Sequence, residues 1–145
     1  MKQLLFILIG LFLLTAYPVF GQEFVGVHAD SIKQLMRTTH NDLSLNTSSI
    51  NKYYNYLKYE DRIGSRTFLI FLDEEDICTF YKEIYDYSFH KKVIKDLNNH
   101  YVNIGDTLWT DEVGNGILSK KLQKNEWFFS VTTRVEASKD NGIME

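Results

Sequence analysis

Four histidines, one cysteine, an acidic run and a knot of tyrosines are the residues of this chain equipped for chemistry. His28, His40, His90 and His100 stand far apart, and none belongs to an H-E-x-x-H motif or an i, i+4 pair. Zinc ligation from one helix face therefore has no support. Cys78 is the only cysteine. A nucleophilic thiolate needs a nearby base and positive surroundings, whereas the acidic turn just before Cys78 opposes its ionisation. It reads as an inert, buried or half-buried thiol, dispensable for function, with an intermolecular disulfide as the alternative. Asp73-Glu74-Glu75-Asp76 offers the hard oxygen ligands that divalent cations take. It lacks the alternating acids and the glycine of an EF-hand loop. The run reads instead as a helix start, with Asp73 capping free N–H groups and the other acids meeting the positive end of the helix dipole.

Glu60-Asp61-Arg62 with nearby Arg66 is the densest mixed-charge spot. Paired arginines there would hold an anion; ordinary ion pairs in a hairpin loop are the simpler reading. Tyr53, Tyr54, Tyr56 and Tyr59 form an aromatic cluster that would serve either as a sugar- or peptide-binding platform or as cross-strand pairs of a sheet face. The lysine groups 91, 92, 95 and 120, 121, 124 read as solvated faces of a helix and a strand. No nucleophile elbow, phosphate loop or dinucleotide fingerprint is present. No residue is assigned a catalytic, cofactor-binding or metal-binding role.

The elements that position these groups centre on Arg66–Leu72. Phe68 to Leu72 are consecutive apolar residues, bounded by acids and too short for a core helix. Alternation puts Phe68, Ile70 and Leu72 on one face and Leu69 and Phe71 on the other, as in a strand in the middle of a sheet. Tyr54–Tyr59 is expected to pair with it antiparallel, although Ile50, Tyr53, Tyr54 and Leu57 also have helical spacing. Ile77, Phe80, Tyr81 and Ile84 recur at i, i+3, i+4, i+7 and predict a helix carrying Cys78. A second helix is expected over Phe89–His100, with Ser88 as its cap. An earlier one opens at Asp30 or Ser31, shows a Ser31/Gln34 capping box, and ends at His40-Asn41-Asp42. The polar loop from Asn41 to Ser49 holds an Asn46-Thr47-Ser48 glycosylation sequon. The last third reads as a meander: Thr107–Thr110, a turn over Asp111–Gly116 with its Asn-Gly signal, Ile117–Leu122, and Trp127–Val135. In that last strand Trp127, Phe129, Val131 and Val135 are expected to share a face.

Met1–Gly21 has a lone early Lys2, an apolar core over Leu4–Leu14, and Val19 and Gly21 placed for cleavage before Gln22. That is the layout of a signal peptide, with an uncleaved N-terminal membrane anchor as the alternative. The core is shorter than the ~20 residues of a spanning helix, so no stable span is expected after cleavage. The expected organisation is a signal peptide over 1–21, one exported domain over 22–136, and a frayed tail over 137–145. Taking 21 residues from 145 leaves 124, ordinary for one domain. The loss of Lys2 from 16 basic residues, against 19 acidic ones, moves the net charge from -3 to -4. An acidic chain argues against sequence-independent nucleic-acid binding. A single cysteine excludes a disulfide-stapled scaffold.

These elements predict an α+β fold: one antiparallel sheet of about five strands, with helices packed on it. The expected role is a secreted or periplasmic, non-catalytic binding module of the cell envelope or extracellular space, taking a protein or small ligand. A small hydrolase with dispersed site residues is the alternative. The two helices after Asp73 are expected to cover one sheet face and the N-terminal helix part of the other. That leaves Leu69, Phe71, Tyr54 and Tyr56 as the candidate partner surface, with self-association as one outcome.

Overall fold

The computed structural model describes residues 24–47, 54–114 and 116–137. The predicted signal peptide and most of the predicted tail lie outside these residues, as do the sequon's Ser48 and the Ile50–Tyr53 part of the helix-or-strand segment. Within them the chain is mostly sheet. A helix, α1 (Ala29–Thr39), precedes β1 (Ser44–Leu45), β2 (Tyr56–Glu60), β3 (Arg66–Leu72) and β4 (Cys78–Asp86). A 3-10 turn (Tyr87–Phe89) leads into α2 (His90–His100), followed by β5 (Val102–Gly105), β6 (Leu108–Val113), β7 (Gly116–Lys124) and β8 (Phe128–Ala137). The eight strands form one antiparallel sheet in the order β1-β2-β3-β4-β8-β7-β6-β5. Each half is thus a helix followed by a four-strand meander, and the two halves meet at the β4–β8 pair.

The expectation of about five strands under several helices is therefore wrong, and the largest error is the segment after the acidic run. Asp73–Ile77 is a tight hairpin loop, not a helix start. Asp73 Oδ1 accepts from the backbone N–H groups of Glu75 and Ile77, both at 2.9 Å, and Asp76 sits in the left-handed region at φ 60°. Asp side chains compete for local N–H groups in this way and tolerate that backbone conformation. The predicted helix carrying Cys78 is the nine-residue strand β4. Its helical spacing coexists with alternation. Tyr81, Glu83 and Tyr85 take one face and Phe80, Lys82 and Ile84 the other, and its aromatic and β-branched content suits a strand with partners on both sides. The edge strands β1 and β5 were also missed, being too short to show a period.

The central strand is where alternation put it. β3 pairs with β2 and β4, Ile70 lying between Leu57 and Tyr81. α2 follows the predicted span, but Asp86, not Ser88, caps the turn before it by accepting from Ser88 N–H at 2.8 Å. At the start of α1 the His28 ring, not a Ser31/Gln34 box, accepts from Asp30 N–H. β6 runs on to Val113, and the chain turns at Gly114, whose φ of 56° suits glycine. Trp127 stands before β8 and is 77% exposed, so it does not share the buried face of Phe129 and Val131. β8 continues to Ala137, into the predicted tail.

Both helices pack on the same face, contrary to expectation. Ile32 and Met36 of α1 meet Tyr59, Phe68, Ile70, Cys78 and Tyr81. Leu97 of α2, with Val93 and Ile94, meets Tyr85, Trp109, Leu122, Phe129 and Val131. The register aligns Tyr81 with Ile70 and Thr133, and Tyr85 with Phe129, so the two clusters are neighbours on one side of the sheet. No helix of the described residues is long and apolar enough to cross a membrane.

Candidate functional site

With both helices on one face, the opposite face is defined by register alone. One row across it reads Lys58, Leu69, Lys82, Thr132, Lys121, Leu108. The next reads Tyr56, Phe71, Phe80, Arg134, Ser119, Thr110. A third brings Glu60, Thr67, Ile84, Ser130 and Gln123 into line. No helix of the described residues lies over these rows, and most of the side chains are half-exposed.

Two hollows occupy this face, one in each half of the sheet. The first, about 690 Å³, is lined by Tyr54, Tyr56, Leu69, Phe71, Thr67 and Ile84, with Lys58 and Glu60 at its border. All four residues of the predicted partner surface therefore come together, because Tyr56, Leu69 and Phe71 share strand parity and Tyr54 leads into β2. Phe71 and Phe80 stack with ring centroids 4.3 Å apart, and Tyr56 flanks them at 5.9 Å. The second hollow, about 600 Å³, is lined by Ile104, Leu108, Ile117, Lys121, Thr132 and Arg134 among others. Exposed Val102 and Ile104 carry its apolar rim to the β5 edge.

Charge on this face is unevenly paired. Lys58 binds Glu60 at 2.7 Å, and Glu60 also accepts from Asn46 Nδ2 at 2.7 Å, which holds its carboxyl below the usual range. Lys82, Lys121 and Arg134 have no carboxylate within ion-pair distance among the described residues. Arg134 lies over the Phe80 ring, 4.6 Å from its centroid. Ser130, beside them, is fully buried, and its hydroxyl has no hydrogen-bond partner among the described residues. Sequence reasoning missed these groups. Lys82 belongs to no lysine group in the sequence, and the row joining it to Lys121 exists only through the β4–β8–β7 register.

The other chemistry-bearing residues do not converge. Arg66 turns to the helix-covered face, pairs with Asp42 and lies near the Phe68 and Phe89 rings, while Arg62 is exposed in the hairpin loop. The paired-arginine clamp is not formed. Asp61 instead ties the loop by accepting from Ser65 N–H at 2.8 Å and from its hydroxyl. Lys120 is not solvated but 5% exposed. Its ammonium donates to Tyr81 Oη at 3.1 Å and Thr133 Oγ1 at 3.0 Å, with the Tyr81 and Tyr101 rings alongside. No group of three His, Cys, Asp or Glu among the described residues is arranged to hold a metal ion.

His40 packs against Phe24 and Phe68. Burial first, and then the Arg66 charge, hold its ring below the usual imidazole value of 6.5. The folded state thus favours neutral His40, and its contribution to stability is present above 6.5 and lost as pH falls toward the lower folded value. Unfolding free energy is expected to decline from about pH 6.5 downward, before carboxylates titrate near about pH 4. His40→Asn should flatten that decline in urea titrations at stepped pH, and an unchanged slope would contradict it.

Cys78 is buried, as expected, though on a strand. Burial pushes its thiol up to about 12, and its Sγ lies 3.5 Å from the Phe80 carbonyl oxygen. The folded protein should therefore leave a thiol reagent unconsumed at about pH 8, reacting only on unfolding. Rapid labelling of native protein would contradict this.

Compared with protein-family models, curated proteins and solved structures, the chain matches none.

Proposed function

We propose that the protein is a non-catalytic binding module, exported to the cell envelope or beyond it, whose helix-free sheet face receives a protein partner. The observation that carries this reading is the placement of both helices on one side, which leaves on the other two apolar hollows and three cations that have no carboxylate partner among the described residues. A sheet of this size with large apolar side chains on both faces calls for a second covering layer, and exposed apolar patches of a few hundred Å² mark interaction sites. The leader-like Met1–Gly21 supports export. Hydroxyl-radical footprinting tests the proposal by comparing the purified mature protein with the same protein in its native envelope fraction. Tyr54, Tyr56 and Phe71 are expected to lose labelling in the envelope, while Tyr87 and residues of α2 keep theirs. Equal labelling of the face in both preparations would count against the reading.

A further inference from the structure

Resting on the helix-free face as the docking surface, we propose that its occupant is an extended, acidic protein segment. Two carboxylates on alternate residues face the sheet centre, with apolar side chains at the next facing position on either side. The row Leu69, Lys82, Thr132, Lys121, Leu108 sets this pattern. Neighbouring strands lie about 4.8 Å apart, so Leu69 and Leu108, four strands distant, are separated by roughly 19 Å. Side chains on one face of an extended chain recur about every 6.7 Å, so four of them span roughly 20 Å. A segment laid along the row therefore sets its outer facing residues over Leu69 and Leu108, at the two hollows. Its inner two fall beside Lys82 and Lys121. Arg134, one row over on β8 and held above Phe80, is placed to fork onto either carboxylate.

The chemistry selects against other anions. Lys58 is already taken by Glu60. Glu60, Glu112 and Glu136 share this face with the cations by register, so a continuous polyphosphate lying across it would meet negative charge on either side. The chain as a whole carries -3. A small free anion would leave both apolar hollows unused. Discrete carboxylates between apolar side chains satisfy both features.

The test is direct titration of the full mature protein with an end-capped peptide, Leu-Thr-Glu-Thr-Glu-Thr-Leu, at low salt. Its counterpart with Gln for both Glu residues, inorganic phosphate and oligothymidylate serve as comparisons. The Glu peptide should bind roughly tenfold more tightly than the Gln peptide. Lys82→Gln and Lys121→Gln should each remove most of that preference without changing the melting temperature, whereas Lys91→Gln on α2 should leave it intact. Equal affinity for the two peptides, no binding of either, or full competition by phosphate or oligothymidylate would overturn the proposal. If the footprint shows protection but the peptides are not distinguished, the face remains a docking surface and only its assigned occupant fails. If the footprint shows none, the surface itself is wrong.

Discussion

Replacing Trp109 by alanine is expected to destabilise the protein by about 3–5 kcal/mol, the range for removing a buried aromatic and leaving a cavity. Trp109 is 1% exposed and sits where the second half's core is assembled, with Leu97 of α2, Leu122 of β7, and Phe129 and Val131 of β8. Its indole N–H also donates to Asn98 Oδ1 at 2.8 Å, tying β6 to α2. Trp109→Phe keeps most of the apolar contact and removes the donor, so a loss of only about 1 kcal/mol is expected from the hydrogen bond, plus a small cavity term. Urea unfolding followed by circular dichroism measures both. A Trp109→Ala loss below about 1 kcal/mol, the size of an ordinary substitution, would show that α2 does not close this core.

Ile70→Ala should cost about 2–5 kcal/mol by the same mechanism in the other half. Ile70 is wholly buried at the centre of β3, between Leu57 and Tyr81 and under Ile32 and Met36 of α1. Ile70 and Trp109 belong to separate clusters with no member in common. Their losses should therefore add in the double variant to within about 0.5 kcal/mol. An unchanged Ile70→Ala midpoint would remove β3 from the core, and strong non-additivity would mean that the clusters communicate across the β4–β8 pair.

Much of this architecture is written locally. The run Phe68–Leu72 is apolar on both faces and can only be an interior strand, and the Tyr-rich segment before it pairs with it because aromatics favour strands. α2 shows its spacing without a competing pattern. Ile77–Ile84 does not: its apolar residues satisfy the helical period and the strand period together, and only partners on both sides, β3 and β8, decide for the strand. The shared side of the two helices was illegible for a related reason. Alternation sorts residues into two faces but does not say which face a distant helix will choose. Tyr54, Tyr56, Leu69 and Phe71 could be grouped because they lie in one hairpin. Lys82 could not be joined to Lys121 and Arg134, which stand 39 (121 − 82) and 52 (134 − 82) residues further along and meet it only through the β4–β8–β7 register. The burial of Lys120 beside exposed Lys121 likewise depends on which face of β7 the helices cover.

That division of faces is the central claim, and single-cysteine labelling tests it most directly. Native Cys78, with its thiol pushed up to about 12, provides a silent background. Two adjacent pairs of positions then report opposite faces: Leu69 with Ile70 on β3, and Lys121 with Lys120 on β7. Leu69→Cys and Lys121→Cys should react with a thiol reagent in the folded protein, while Ile70→Cys and Lys120→Cys react only as fast as the protein unfolds. Protection of Leu69→Cys and Lys121→Cys together with ready labelling of Ile70→Cys and Lys120→Cys would place the helices on the wrong side and contradict the account.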